Sequence, residues 1–214
     1  MPAGVATALS VPAVIALDAL LDTRRIWRGQ PITTAAAAHP TGHAALDAML
    51  PTGGWPAAAL TEILLAADGV GELRLLWPTL ARFSQAGGRV ILVAPPYVPH
   101  APAWRAAGIA LSHLQVVTAA TPRDALWASE QCLRSGACSA VVCWPWQADD
   151  RALRRLQVAA ETGQALGFAF RPHKMAANPS PAALRIAVDA QPRQLRVLKC
   201  RGGLAPAQPI AYMH

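Results

Sequence analysis

A short glycine-bearing stretch is the first place in this chain to look for chemistry. Leu64-Leu-Ala-Ala-Asp-Gly-Val-Gly-Glu-Leu73 lies between an apolar run, Leu60 to Leu65, and a helical pattern starting at Glu72. A strand–loop–helix unit of this kind binds phosphate when it reads GxxxxGK[ST]. Its glycines expose backbone N–H groups, its lysine reaches the phosphates and its hydroxyl holds magnesium. Here Gly69 and Gly71 are present, but Gly71 or Glu72 stands at the lysine position and Leu73 follows where the hydroxyl belongs. Asp68 and Glu72 bring negative charge that repels a triphosphate. The chain's two lysines, Lys174 and Lys199, do not follow a glycine, so the motif is not displaced elsewhere. Two apolar runs end without the acids that phosphoryl transfer requires. Arg89 to Ala94 runs into Pro95-Pro96, and Ala140 to Cys143 runs into Trp144-Pro145. The stretch reads as a degenerate phosphate loop (Asp68, Gly69, Gly71, Glu72), with no catalytic residues and no cofactor.

Other reactive types have quieter readings. GxSxG and HExxH are absent. His39 and His43 are four apart, but Pro40 and Gly42 between them argue against one helical face and against a metal site. Cys132, Cys138, Cys143 and Cys200 make no CxxC pair and read as buried free thiols. Asp149-Asp150 opens a helical pattern, where adjacent acids serve as cap and dipole partners. Asp189 reads as a turn residue.

The elements that position these residues alternate. Predicted strands are Leu60 to Leu65, Arg89 to Ala94, Leu114 to Val117, Ser139 to Trp144 and Ala165 to Phe170. Between them run helices Glu72 to Gln85, Ala101 to Ala107, Thr121 to Arg134 and Asp149 to Thr162. Thr121 is placed as a cap with Pro122 at the first helical position. Strands separated by helices imply an α/β fold with a doubly wound, mostly parallel sheet. Ala183 to Val188 and Gln194 to Cys200, joined by a turn from Asp189 to Arg193, add a C-terminal antiparallel hairpin. Near the start, Val14, Leu17, Leu20, Leu21 and Trp27 recur at helical spacing, predicting an N-terminal helix over residues 13 to 28.

This divides the 214 residues into an N-terminal helix and linker (1–40), a core (41–203) and a Pro/Ala-rich tail (204–214). Hydrophobic residues make up 53% and charged residues 14%, yet no apolar run is long enough for a membrane span. The first 17 residues lack the basic start of a signal peptide, so a cytoplasmic protein is expected.

The run from Thr41 to Ile63 resembles the segment that opens the ATPase core of RecA. The matching positions are Thr41, Gly42, Leu46, Asp47, Leu50, Gly53, Gly54, Pro56, Glu62 and Ile63. From His113 to Pro172 the chain resembles the SulA and ImuA branch of the same superfamily. The stretches concerned are Thr121 to Gly136, the Val141-Val-Cys-Trp strand and Leu166-Gly-Phe-Ala-Phe-Arg-Pro. Leu198-Lys-Cys-Arg-Gly-Gly is similar to the basic strand end of ImuA proteins. The order of all these stretches, from about Leu17 to Gly203, resembles the ImuA family.

That resemblance implies a RecA-like core without turnover. It also implies a non-catalytic adaptor in SOS-induced translesion synthesis and damage-induced mutagenesis. The adaptor would link an ImuB-like Y-family polymerase homologue to RecA or DNA, with a mutagenic replicative-type polymerase as a further partner. The alternative is a SulA-like division inhibitor that binds the tubulin-like division protein.

The binding features are tryptophan and arginine. The chain has seven tryptophans, and Trp144-Pro145-Trp146 follows a strand at the carboxyl edge of the sheet, where open α/β sheets place binding sites. Arg151, Arg154 and Arg155 share a helical face. Arg196, Lys199 and Arg201 form the second basic group, and strict alternation turns Arg196 away from the other two. With a net charge of +7, these suit weak nucleic-acid binding or an acidic partner. Leu17, Leu20 and Leu21 make an apolar stripe for self-association or docking on a RecA-like partner.

Overall fold

The computed structural model describes residues 39–67, 69 and 71–211. The predicted N-terminal helix, with Leu17, Leu20 and Leu21, lies outside the described residues, and so does Asp68.

Among the described residues eight strands form one sheet: β1 (Leu60–Leu65), β2 (Val90–Val93), β3 (Leu114–Val117), β4 (Ala140–Cys143), β5 (Leu166–Pro172), β6 (Leu184–Ala190), β7 (Arg193–Cys200) and β8 (Ile210–Ala211). Their spatial order is β3-β2-β4-β5-β1-β6-β7-β8. Strands β3 through β6 in that order pair in parallel, while β7 pairs antiparallel with β6 and with β8. Every residue of β1, β2 and β4 is buried, the pattern of parallel strands covered on both faces.

Two layers of helix provide that cover. Helices α1 (Ala44–Met49), α2 (Glu72–Gln85) and α3 (Ala101–Ala106) send Leu46, Leu75, Leu76, Leu80 and Trp104 into one core with Ile63, Phe168, Phe170, Ile186 and Val197. Helices α4 (Pro122–Arg134) and α5 (Asp150–Gly163) send Leu133, Leu153 and Leu156 into the other with Leu60, Val141 and Ala169. The Thr121 hydroxyl accepts from Asp124 N–H at 3.1 Å and starts α4; the Asp149 carboxylate accepts from Ala152 N–H at 2.7 Å and starts α5.

The segment before β1 is pinned to α2. Trp55 is fully buried, and its Nε1–H donates to Thr79 Oγ1 at 2.8 Å. His39 and Trp55 pair through their backbones, and the His39 ring meets Phe83 edge-on at 5.2 Å. A linker was expected to run to Pro40; instead His39 and Pro40 are docked, with the Pro40 carbonyl accepting from Arg82 at 3.0 Å. Gly54 is required here, since a Cβ at this position would meet the His39 carbonyl oxygen at 2.4 Å.

Three local expectations change. The hairpin turn is only Gln191-Pro192, because β6 continues through Asp189 to Ala190 and β7 starts at Arg193. The tail contributes β8, with Ile210 buried opposite Leu195. Strict alternation fails in β7, where an irregularity opposite Arg185/Ile186 leaves Leu198 as an extra residue. Leu195, Val197 and Cys200 are therefore all buried in one core, and Arg196, Lys199 and Arg201 share the opposite face.

Candidate functional site

Within β1, β5 and β6 the dominant feature is a buried ion cluster. Glu62 is wholly buried in β1, and its two carboxylate oxygens each accept at 2.6 Å, one from Arg171 Nη1 and one from Arg185 Nε. Arg171 also donates to the Pro145 carbonyl at 3.3 Å and to the Ala148 carbonyl. Arg185 donates to the carbonyls of Met175 at 2.8 Å and Asn178 at 3.0 Å. One carboxylate thus ties three strands, the loop after β4 and the turn His173–Ala177 into a single unit. Sequence reasoning placed Glu62 in a motif but missed the cluster. The available signal was a charged residue inside each of three largely apolar strands, Glu62, Arg171 and Arg185.

Beside it stands the degenerate phosphate loop. Gly69 and Gly71 keep positive φ, +76° and +87°, the latter at the cap of α2. The Glu72 carboxylate turns back to accept from Gly69 N–H at 3.4 Å. A side-chain carboxylate of the protein itself therefore stands at the helix N-terminus, where an anion would otherwise bind.

The carboxyl edge of the other half of the sheet is open. A crevice of about 480 Å³ lies beyond the ends of β2 and β4. Its lining includes Ala94, Pro96, Thr121, Leu126, Trp144, Trp146, Arg123 and Arg155, and contains no carboxylate. A second hollow of about 710 Å³ continues from it through Ala94, Pro96 and Ala119 to Tyr97, Val98 and Val116, again without an acid. The connection after β2 packs α3 on one face and the connection after β4 packs α5 on the other. The crevice therefore sits at a topological switch point, where open α/β sheets bind their ligands. Tyr97 is 69% exposed and Val98 93%, which leaves an apolar rim in water.

The predicted pair of exposed tryptophans divides. Trp146 is 41% exposed at the crevice. Trp144 turns inward and stacks on Phe170 at 5.5 Å, because the strand's alternation carries it over the core. Trp127, at 64% exposed on α4, is the more open surface tryptophan that sequence reasoning did not single out.

The predicted basic residues are mostly engaged within the chain. Arg154 meets Asp150 at 3.8 Å and Arg155 meets Glu130 at 3.5 Å. Arg151 meets no carboxylate among the described residues. Arg196 holds Asp189 through two bonds of 2.7 and 3.0 Å, and the Asp189 carboxyl is kept below its ordinary range by that contact. Lys199 donates to the Ser180 carbonyl at 2.6 Å; burial, then Arg185 and Arg201, lower its pKa. Arg201 meets Glu161 at 3.2 Å. Lys199, Arg201 and Arg154 line a shallow hollow with Asp150 and Glu161, a mixed surface and not a purely basic one. The structure brings Trp146 and Arg155 together at the crevice and sets Arg196, Lys199 and Arg201 apart from it. No helix among the described residues is long and apolar enough to cross a membrane.

Residues 58–167 match the family model described as cell division inhibitor SulA. A crystal structure of SulA from Pseudomonas aeruginosa is 31% identical to this chain, covering 55% of it and 99% of the SulA chain, with a TM-score of 0.46. No curated protein matches the chain.

Proposed function

The chain belongs to the SulA family, and from that premise we propose that it is a non-catalytic adaptor of the DNA-damage response that works by holding a protein partner at the crevice over β2 and β4. The observation that carries this reading is the contrast between that acid-free, apolar crevice and a phosphate loop occupied by Glu72. The proposed partner is an ImuB-like polymerase homologue, with RecA and a mutagenic replicative-type polymerase as further members of the assembly.

The matched segment ends at the second residue of β5 and omits β6, β7 and β8. Those strands are not accessory: β6 pairs with the central β1 and supplies Arg185 to Glu62. The segment containing Trp55 precedes the match and fills the core. Elements beyond the matched span support the adaptor over a minimal inhibitor. The family match supports a second reading, inhibition of cell division through the tubulin-like division protein. Two assays separate them. Co-purification with an ImuB-like protein and no effect on polymerisation of the division protein supports the adaptor; blocked polymerisation without ImuB-like binding supports the inhibitor.

Weak DNA binding belongs to the same proposal. Arg151 and Arg123 supply a sequence-independent, salt-sensitive contact, while the paired Arg155, Arg196 and Arg201 contribute less. Fluorescence anisotropy with single- and double-stranded oligonucleotides tests it; no binding at low salt assigns these arginines to protein contacts. Phosphate release from ATP should stay at background with and without DNA. Turnover that is lost on mutating Gly69 would overturn the non-catalytic reading.

A further inference from the structure

Next to the crevice the sheet is also open along its side. The strand order ends at β3, and no strand among the described residues pairs beyond it. The Val117 carbonyl accepts from Ala94 N–H, just past β2, at 2.8 Å, so the backbone of Val117 faces β2. Alternation then turns the N–H and carbonyl of Val116 and the carbonyl of Leu114 outward. Val116 is 45% exposed. Proteins blunt such an edge with a charge, a proline, a bulge or a very short strand. The far edge is blunted in this way, since β8 is only Ile210–Ala211 and follows Pro209. In contrast, β3 reads Leu114-Gln-Val-Val117, carries no charge or proline, and pairs with β2 in unbroken register.

The 710 Å³ hollow adjoins that edge. Leu114 and Val116 face it together with Tyr97, Val98 and Trp104, while Gln115 alternates to the other face and is exposed. Past the end of β3 the hollow meets the crevice, where Arg123 is exposed. Arg123 meets no carboxylate among the described residues. We propose that the outer edge of β3 takes an extended segment of a protein partner as a further strand, with alternate apolar side chains in the hollow and a carboxylate on Arg123. This mode of docking rests on the crevice reading above and gives the docked segment its form.

Three features of the surface select that occupant. An extended backbone satisfies the outward N–H and carbonyl of Val116 together, and main-chain bonds of this kind set the register of the added strand. The added strand carries every second side chain over the hollow. The segment therefore alternates, with apolar residues over Val98, Trp104 and Val116 and polar residues on the face of Gln115. The lining of the hollow and of the crevice offers no acid to a basic residue, whereas Arg123 offers an unpaired cation to an acidic one. Burial of the apolar residues in the hollow supplies the driving force, and the strand edge and Arg123 supply the selectivity.

The test uses the full chain and a short fluorescein-labelled peptide of alternating valine and threonine, with an aspartate at each end so that either strand direction reaches Arg123. Saturable binding is expected, with exchange of the Val116 amide slowed about ten-fold or more at saturation. Val116→Pro removes the outward N–H and keeps the bonds to β2, so affinity should fall at least about ten-fold at unchanged melting. Val116→Lys leaves the backbone intact and places a charge on the edge; it should show the same loss, and it decides the matter if the proline variant melts lower. Arg123→Gln should weaken binding about three-fold at low salt and less at high salt. No peptide binding, or binding unchanged in both Val116 variants, would overturn the strand addition. An ImuB-like protein that binds the wild type and both Val116 variants equally would also overturn it while leaving the adaptor standing. Peptide binding that is lost in the Val116 variants, with no binding of an ImuB-like protein, would support the strand addition and overturn the partner proposed above.

Discussion

The two halves of the sheet are built on opposite rules. In β1, β5 and β6 the charge of Glu62 is answered internally by Arg171 and Arg185, and Glu72 turns back on its own loop. Over β2, β3 and β4 the rim is apolar and hydrated, and its two crevice arginines face no lining acid. The first half is closed by its own side chains; the second is open to solvent. The difference teaches where to look for function in this sheet, namely away from the loop whose glycines first attract attention.

The largest expected effect tests the closed half. Glu62→Gln removes the negative charge between two buried guanidinium groups and should cost about 3–5 kcal/mol in denaturant unfolding. A loss below about 1 kcal/mol would mean that the backbone carbonyls alone satisfy both arginines.

The tryptophans sharpen the comparison from the other side. Trp144→Ala removes a ring stacked on Phe170 and should destabilise by about 2–3 kcal/mol. Trp146→Ala changes a partly exposed rim residue and should shift stability by less than about 0.5 kcal/mol. Equal costs at the two positions would place both in the core and remove the rim contact.

The smallest effect is a pH dependence at the docked segment. Burial first, and Arg82 second, lower the pKa of His39 below 6.5. A histidine depressed on folding binds more protons when unfolded, so its contribution is complete above pH 6.5 and is lost as pH falls through the folded value. Thermal melts should show this decline on acidification, reduced in His39→Phe. An identical decline in that variant would assign the effect to other groups.

Much of the scaffold was legible in the sequence because its signals are local. Thr121 and Pro122 announce α4, and paired glycines end α2 before β2. Fully apolar runs mark the central strands. Non-local features were not legible. The β7 irregularity that gathers Arg196, Lys199 and Arg201 on one face depends on pairing with β6. The Glu62 cluster joins residues 109 and 123 positions apart. At the candidate site, Trp146 and Arg155 could be named from the sequence, but Arg123 and the Tyr97–Val98 rim come from loops that only the folded sheet edge brings together.

The most direct test of the central claim is a binding titration of an ImuB-like protein against the wild-type chain and Trp146→Ala, with melting measured on the same samples. The account predicts specific binding by the wild type, at least about ten-fold weaker binding by the variant, and unchanged melting, since a rim tryptophan at an interface centre contributes about 2 kcal/mol or more. Equal affinity in the two proteins would contradict the crevice as the docking surface, and no binding by the wild type would contradict the adaptor itself.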